Sequence, residues 1–297
     1  MSTIFSPTAL AGKRVLITGG GTGLGRGVAK HLVDHGAEVH LWGRRENVLR
    51  EAAEEVGRDR PSAVHYQCVD VRKFDMVDEA MDALWHEHGP LTGVINNAAA
   101  NFIAQTKDLS PRGFEAITST VMNGSFHTTL AAGRRWIEGK LPGVVLSTLT
   151  TWVWTGSAYV VPSAMAKTAV HAMTMSLAVE WAKYNIRVNA IAPGPIPTDY
   201  AWEMLNPTEK TSAGATQWDE IPAGRPGTIE ELANLTIFLL SDACNYLTGQ
   251  TIAMDGGQML AGPNTFASLA SMTEEDWAEA RAKAKAASEA AKKQRTI

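Results

Sequence analysis

A glycine-rich segment near the start of the chain has the composition of a phosphate-binding turn. It runs from Thr18 to Gly25 with the sequence TGGGTGLG, directly after a short apolar run and before an amphipathic stretch. Glycine lets a backbone approach a diphosphate closely, and the free N–H groups at a helix N-terminus stabilise its negative charge. The strand-turn-helix context therefore predicts a dinucleotide-binding turn. Its residues would be Gly19, Gly21, Thr22, Gly23, Leu24 and Gly25.

The second apolar run ends in two arginines, in the sequence HLWGRR over residues 40–45. A site for NAD has an acidic residue here, because a carboxylate accepts hydrogen bonds from the ribose hydroxyls. This chain has no acid at that point, and the guanidinium groups of Arg44 and Arg45 suit a 2′-phosphate instead. The pattern favours NADPH. The alternative is that both arginines only begin a solvated helix.

The elements that must position these residues alternate regularly along the chain. Apolar runs that read as strands lie at 14–18, 39–42, 64–69, 93–95, 144–147, 186–191 and 250–253. Amphipathic stretches that read as helices lie at 23–35, 46–57, 75–88, 170–184 and 229–240. Continuous apolar strands, each followed by a helix, are typical of a parallel sheet buried on both faces. The prediction is an α/β fold with a doubly wound, Rossmann-type parallel sheet.

Composition limits the class of protein. The chain has 297 residues, of which 45% are hydrophobic and 20% charged, with a formal net charge of −4. One domain with a substantial core is expected, without the basic field that attracts nucleic acid.

Met1–Lys13 lacks a signal-peptide pattern, and no apolar run is long enough to span a bilayer, so a cytoplasmic protein is expected. Cys68 and Cys244 are too isolated to indicate a disulfide framework or a metal site.

Two segments fall outside the alternating pattern. Residues 193–225 are rich in Pro, Thr and Gly and include Trp202 and Trp218, which predicts a loop that closes over a substrate. Thr273–Arg295 reads as an Ala/Glu/Lys helix with Thr273 as its N-cap. The predicted organisation is one domain over residues 11–257 and a C-terminal helical extension over 258–297.

Several motifs in this order resemble the short-chain dehydrogenase/reductase superfamily over residues 11–257. They are the glycine turn, Asp70-Val71, Asn96-Asn97-Ala98-Ala99, Lys167 and Pro193-Gly194-Pro195-Ile196. Further segments are most similar to the NADPH-dependent 2,4-dienoyl-CoA reductases of mitochondrial type. These are residues 97–103, 109–111, 123–124, 161–164 and 227–235, together with the tail around Trp277.

The resemblance implies a role for each matching residue around the cofactor. Asp70 and Val71 would flank the adenine, and Asn97, Ala98 and Ala99 would line the cofactor. Lys167 would hold the nicotinamide ribose, with Ser163 beside it. The turn of Pro193, Gly194, Pro195 and Ile196 would present backbone groups to the carboxamide. A lysine ammonium has movable donors for two hydroxyls, and a proline-rich turn is rigid, so these roles are physically consistent.

The chain departs from its relatives at the proton donor. Most members of the superfamily have a tyrosine four residues before the lysine, where this chain has Ser163. Dienoyl-CoA reductases also carry serine there and place their tyrosine earlier, at the position of Trp152 here. An indole N–H can donate a hydrogen bond but cannot deliver a proton. Tyr159 and Thr150, at the superfamily's usual serine, are the remaining candidates.

The resemblance assigns hydrogen-bond donation at a thioester oxygen to Asn123. Donors aimed at developing negative charge typically contribute most to catalysis of this kind. An asparagine here could instead only mark a helix bend. Asn123, Thr150, Trp152, Tyr159, Ser163 and Lys167 are therefore the candidate catalytic residues, with no metal.

Three functions remain open. The first is reduction of an enoyl- or 2,4-dienoyl-CoA thioester by conjugate hydride transfer, which belongs to fatty acid metabolism. The second is NADPH-dependent reduction of another carbonyl or enone. The third is a cofactor-binding protein that has lost catalysis. The resemblance also implies a homotetramer, because the segment after the last strand, Asp255-Gly256-Gly257, matches tetrameric relatives.

Overall fold

The computed structural model describes residues 4–101, 103–198 and 221–262, and residues 273–276, 278–279 and 282 of the tail. The chain divides into two compact units, residues 1–256 and residues 257–297. Nothing in the described part of the chain is a helix long and apolar enough to cross a membrane. Both cysteines are free, Cys244 buried and Cys68 half-buried.

The first unit is built on a seven-stranded parallel sheet. Its strands are β1 Arg14–Thr18, β2 Glu38–Gly43, β3 Val64–Cys68, β4 Gly93–Asn96, β5 Gly143–Thr148, β6 Ile186–Pro193 and β7 Thr251–Met254. They are ordered β3-β2-β1-β4-β5-β6-β7. The order reverses between β1 and β4, so a crevice opens at the carboxyl ends of these two strands. The predicted doubly wound sheet is confirmed.

Helices cover both faces of the sheet. They are α1 Gly23–Asp34, α2 Glu46–Val56, α3 Phe74–His88, α4 Pro111–Thr118, α5 Gly124–Gly139, α6 Trp152–Thr155, α7 Val161–Trp181 and α8 Ile229–Leu240. The second unit contains α9, Gln258–Ala261. One core lies under α1, α2 and α8, and the other lies under α3, α5 and α7. Alternate residues of one strand serve the two cores: Ile17 packs in the first and Leu16 in the second.

The long helix was predicted at 170–184, and that prediction is wrong at both ends. Helix α7 begins nine residues earlier, at Val161, and a 3₁₀ turn over Ala182–Tyr184 follows its end. Pro162 lies in its first turn, where proline is tolerated because no N–H is needed there. The correction places Ser163 and Lys167, both buried, in the first two turns of one helix.

The apolar pattern identified no helix between β4 and β5, but α4 and α5 lie there. Ser110 caps α4 by accepting a hydrogen bond from the Gly113 N–H at 3.1 Å. Threonines inside these helices bond to the preceding turn, as Thr128 does to the Gly124 carbonyl at 2.9 Å. Such polar residues are satisfied by their own backbone and interrupt the apolar pattern on which the prediction depended. Ser119–Asn123, between the two helices, is π-helical.

Helix α5 is fixed against the sheet by a buried tryptophan. Trp136 is 0% exposed, and its indole N–H donates to the Leu91 carbonyl at 2.7 Å. The ring lies on Gly143 at the start of β5, where a Cβ atom would come within 2.4 Å of the indole. A side chain at Gly143 would therefore displace α5, and with it the segment that carries Asn123.

Candidate active site

A groove with a cavity volume of about 160 Å³ opens at the carboxyl ends of the strands, at the reversal of strand order. It is lined by the glycine turn, the end of β2, the loop after β3 and the loop after β4. Of the predicted cofactor residues, it contains Gly19, Gly21, Thr22, Arg44, Arg45, Asp70, Val71, Ala98 and Ala99. Ligands of doubly wound sheets bind at this position.

The glycine turn is packed too closely for side chains. Gly19 has a φ of +67°, and a Cβ there would lie 2.9 Å from the Ala98 Cα. A Cβ on Gly25 would lie 2.5 Å from the Gly19 carbonyl oxygen. Gly23, Leu24 and Gly25 form the start of α1 and do not line the groove. Because no side chains fit there, the backbone of the glycine turn itself lines this part of the groove.

The N-terminus of α1 follows the glycine turn, and no side chain caps it. Thr22 is the N-cap, but its side chain makes no capping hydrogen bond, and the first turn of α1 has no acidic residue. The first N–H groups of a helix need partners, and together with the helix dipole they attract an anion. The arrangement fits the diphosphate of a dinucleotide.

Asn97 supports the turn and does not line the groove. Its side-chain amide donates to the carbonyl oxygens of Thr18 at 3.2 Å and Gly19 at 3.3 Å. The Thr18 hydroxyl accepts from the backbone N–H groups of Asn97 and Ala98, both at 3.1 Å. Sequence reasoning missed Thr18, although a hydroxyl residue at the end of a buried strand is a signal for such a role.

Basic side chains gather where the adenosine end of a dinucleotide would lie. Arg44 and Arg45 are exposed at the groove and have no ion-pair partner among the residues described. Arg72 binds the Asp70 carboxylate through Nε at 2.8 Å and Nη2 at 2.6 Å. This hydrogen-bonded pairing with Arg72 lowers the pKa of Asp70, and the charge of Arg44 lowers it further. Sequence reasoning missed Arg72, which restricts Asp70 to one orientation.

Lys167 is held at the carboxyl end of β5. Its ammonium group donates to the Thr148 carbonyl, and the residue is only 7% exposed. Burial lowers the pKa of Lys167 to about 8. Ser163, which is 4% exposed, lies one turn earlier on α7. A buried ammonium group with few partners, at the carboxyl end of a strand, can donate hydrogen bonds to the hydroxyl groups of a ligand.

Four buried side-chain polar atoms have no hydrogen-bond partner among the described residues: Trp42 Nε1, Asn96 Oδ1, Asn101 Oδ1 and Thr150 Oγ1. A buried polar atom without a partner has a free-energy cost. Ala100 packs against the cluster that contains Ala166, which brings the loop after β4 beside the residue preceding Lys167. Asn101 is thus a further candidate that sequence reasoning missed, signalled by its place in a loop after a central strand.

Tyr159 and Trp152 lie in the segment between β5 and α7. Tyr159 has a φ of +65°, unusual for a residue with a side chain, and is 60% exposed. Its carbonyl accepts from the Ala104 N–H at 2.9 Å, which links this segment to the loop after β4. Trp152 is half-buried and begins α6.

Asn123 ends the π-helical segment, and its side chain is exposed. It lines a separate shallow groove between α5 and α7 with Met122, Phe126 and Met173, not the groove of the glycine turn. π-Helical turns occur often at functional sites. The position is compatible with either the donor role or the helix-bend role.

The turn after β6 is fixed by backbone hydrogen bonds. The Gly194 N–H donates to the Met254 carbonyl and the Pro195 carbonyl accepts from the Gly227 N–H, both at 3.0 Å. Pro193 and Ile196 are buried on either side. Trp202 and Trp218 of the predicted substrate loop, and Trp277 of the tail, lie outside the described residues.

Comparison with known proteins agrees with this architecture. A family model described as "Enoyl-(Acyl carrier protein) reductase" matches residues 19–259. The Bacillus subtilis (strain 168) protein "Probable 2,4-dienoyl-CoA reductase, (2E)-enoyl-CoA-producing" is 44% identical over 253 residues, which cover 84% of this chain and 97% of that protein. The Caenorhabditis elegans protein "Probable 2,4-dienoyl-CoA reductase 3, (3E)-enoyl-CoA-producing" is 38% identical over 258 residues, 86% of this chain and 84% of that protein.

Among solved structures, a short chain dehydrogenase from Bacillus anthracis superposes with a TM-score of 0.74 at 39% identity. The match covers 83% of this chain and 96% of the other. The sheet, the glycine turn and the buried lysine define an oxidoreductase that uses a nicotinamide cofactor. The chain belongs to the short-chain dehydrogenase/reductase superfamily, within the enoyl reductase family whose model it matches.

Proposed function

We propose that the protein reduces a 2,4-dienoyl-CoA thioester with NADPH by conjugate hydride transfer. One observation carries the proposal: the buried residue four positions before Lys167 is Ser163, so the phenol of ordinary alcohol-ketone chemistry is absent there. Without that acid, an alkoxide has no obvious proton donor. Two relatives with 44% and 38% identity carry the name 2,4-dienoyl-CoA reductase, which supports this substrate class.

The preference for NADPH rests on the open end of the groove. Arg44 and Arg45 are exposed there, and the end of β2 itself has no carboxylate to receive the ribose hydroxyls. Guanidinium groups form short, charge-assisted hydrogen bonds with phosphate. Binding of a 2′-phosphate would neutralise two like charges, neither of which forms a salt bridge in the described part of the chain.

When bound, the nicotinamide supplies the hydride, which adds to the far carbon of the diene. The electron pair moves through the conjugated system to the thioester oxygen. The chain must stabilise that charge, and donors directed at developing negative charge do so most effectively. The side-chain amides of Asn123 and Asn101 and the indole N–H of Trp152 are the donors proposed for this oxygen.

Lys167, Ser163, Thr150 and Tyr159 have the remaining roles. Lys167, fixed by the Thr148 carbonyl, positions the ribose, and Ser163 lies beside it. The dienolate then takes a proton at carbon, which gives an enoyl thioester. Tyr159 or a water molecule bound by Thr150 delivers that proton. The two relatives are named for (2E)- and (3E)-enoyl products, which differ in the carbon that receives the proton. The proposal therefore concerns the substrate class and not the position of the remaining double bond.

The test is a substrate panel with NADPH oxidation followed at 340 nm. The panel contains a 2,4-dienoyl-CoA, a 2-enoyl-CoA, a cyclic enone and a simple ketone. The proposal expects turnover of the dienoyl-CoA, with one NADPH consumed per enoyl-CoA formed. Turnover of only the enone or the ketone would replace it by the second function. NADPH binding by calorimetry without turnover of any compound would indicate a cofactor-binding protein.

A further inference from the structure

Four side chains that can bind a metal meet at the opposite end of the sheet from the cofactor groove. They are Glu38, His40, His65 and His88, and one ligand atom from each lies within 4.8 Å of all the others. Glu38 is the first residue of β2, His65 is the second residue of β3, and His88 is the last residue of α3. The cluster is therefore at the amino ends of the strands, whereas the groove is at their carboxyl ends.

The sheet itself places three of these residues on one face. Glu38 and His40 are two residues apart on β2, so their side chains point to the same side. His40 pairs in register with His65 of the neighbouring parallel strand. Their rings stack with centroids 4.8 Å apart, and the His88 ring lies 4.1 Å from His65 and 4.8 Å from His40. Three imidazoles are thus held together by β2, β3 and α3.

The carboxylate is directed into the cluster by a second group. Glu38 Oε1 lies 3.0 Å from His40 Nε2 and 3.7 Å from His65 Nε2. Arg14 of the adjacent strand donates to Oε1 at 2.8 Å and to Oε2 at 3.1 Å. A charged neighbour that orients a ligating carboxylate is a usual outer partner of a metal site.

His40 is enclosed within the cluster, where its side chain is only 4% exposed. The side chains of Glu38 and His65 beside it are 27% and 29% exposed, so an ion can reach the cluster from solvent. The ring nitrogen of an imidazole is a common ligand of transition metals in proteins.

We propose that Glu38, His40, His65 and His88 bind one divalent transition metal ion of the zinc type. Three nitrogen donors and one carboxylate oxygen suit Zn²⁺, while Mg²⁺ and Ca²⁺ prefer oxygen ligands. All four ligands come from protein, so the site would be structural. It would join β2, β3 and α3, the elements that lead to Arg44 and Asp70 in the cofactor groove.

The experiment uses the full-length protein without an affinity tag, freed of metal with a chelator. Zn²⁺ is titrated by calorimetry in competition with a chelator of known affinity, and Co²⁺ is added separately to record visible absorption. The proposal expects one Zn²⁺ per chain, visible Co²⁺ bands from nitrogen ligation and a higher midpoint of thermal unfolding with Zn²⁺.

Variants identify the ligands. His65→Gln and His88→Gln replace side chains that are 29% and 21% exposed. Each should weaken Zn²⁺ binding at least tenfold, since removal of even an outer partner typically costs 10–100-fold. His86→Gln, on an exposed histidine two residues from His88, is the matched control and should bind as the wild type does. NADPH affinity, measured for every variant, reports whether the fold is retained.

The wild-type titration alone can overturn the proposal, because absence of stoichiometric Zn²⁺ binding contradicts it whatever the variants do. Equal Zn²⁺ affinity in wild type, His65→Gln and His88→Gln would also contradict it. So would a loss of binding in His86→Gln as large as in the cluster variants.

Discussion

At the scale of single residues, the substitution of one side chain changes the chemistry available to the site. A serine hydroxyl at position 163 is a far weaker acid than a phenol, so a fast proton transfer to oxygen has no donor there. A dienolate can instead be protonated at carbon by water or a modest acid. Catalysis then depends more on donors around the thioester oxygen than on one strong acid.

The donor residues make this testable. Asn123→Ala should lower kcat on a 2,4-dienoyl-CoA by about 10²–10³, the usual loss for an oxyanion donor. Asn101→Ala, measured in the same assay, tests whether the side-chain NH₂ group of Asn101 is a second donor, because the Asn101 amide oxygen can only accept a hydrogen bond. Stopped-flow measurement of NADPH oxidation gives both rates.

Tyr159→Phe is the companion measurement. A large loss of kcat with unchanged NADPH affinity would mean that Tyr159 delivers the proton. If Asn123→Ala, Asn101→Ala and Tyr159→Phe all leave kcat unchanged, the proposed donors are wrong and the charge is stabilised by other groups.

Lys167 gives stability a specific dependence on pH. Its pKa is about 8 in the folded protein, and about 10.4 is usual for an unfolded chain. Between these values the unfolded state binds more protons, so the Lys167 contribution to the free energy of unfolding increases with pH. Relative to Lys167→Met, the wild type should gain stability on the order of 3 kcal/mol over that interval.

Urea unfolding at several pH values from 7 to 10 measures the difference, without cofactor. Lys167→Met is a control of similar length without the titrating group. A difference between the two proteins that is constant with pH would show that Lys167 titrates normally. Lys167→Ala should also reduce kcat at least as much as Asn123→Ala, because the ribose loses its positioning donor.

The proposed preference for NADPH is also tested at individual residues. Replacement of Arg44 and Arg45 by alanine should weaken NADPH binding by about 1.5–3 kcal/mol, the usual worth of charged hydrogen bonds, and should leave NADH binding nearly unchanged. Arg50→Ala, on helix α2 directly after the pair but outside the groove, is the control. Calorimetry that gives equal affinity of the wild type for both cofactors would refute the assignment.

At the scale of elements, the ends of helices determine where the site residues lie. Helix α8 begins with a capping box, in which the Thr228 hydroxyl accepts from the Glu231 N–H at 3.1 Å. The Glu231 carboxylate in turn accepts a hydrogen bond from the Thr228 N–H at 2.9 Å and another from the Arg225 guanidinium. The Arg225 hydrogen bonds hold the pKa of Glu231 at about 2. Both partners of this box lie in the segment after the predicted substrate loop.

Thr228→Ala should lower the free energy of unfolding by about 1 kcal/mol, since it removes one cap acceptor from α8. Thr228→Ser retains the hydroxyl and should be nearly neutral. Chemical denaturation at a fixed protein concentration measures both variants. Equal losses for alanine and serine would mean that the cap hydrogen bond contributes nothing and that the threonine methyl group matters instead.

At the scale of the whole molecule, one face remains apolar. Phe126 on α5 is 48% exposed, and Met165, Met175 and Val179 on α7 are 53%, 45% and 83% exposed. An apolar face on two adjacent helices is typical of a subunit interface. We propose that this face contributes to the homotetramer that the superfamily resemblance predicts.

Light scattering at micromolar concentration should give four times the mass of the chain, 31.9 kDa. Val179→Asp, which places a charge on the exposed face, should reduce the mass toward that of a dimer or monomer. Lys183→Asp, beyond the end of α7, is the control. A monomeric wild type would overturn the prediction of a tetramer.

The sequence alone determined the seven strands in chain order, the doubly wound class of the fold, the glycine turn and the pair Arg44 and Arg45. These features depend on patterns within about twenty residues, such as apolar periodicity and the placement of glycine, which local physics specifies. Helices α4 and α5 were missed because threonines within them, such as Thr118 and Thr128, bond to their own backbone and disturb the local pattern.

Only the tertiary structure decided the properties that depend on distant residues. The low pKa of Lys167 comes from burial, the fixed orientation of Asp70 comes from Arg72, and the unpartnered oxygen of Asn101 comes from the packing around it. The histidine cluster joins residues from β2, β3 and α3 at spacings that match no metal-binding motif. Strand pairing sets the distances between residues on neighbouring strands. These distances cannot be read from the spacing of residues along one segment of the chain.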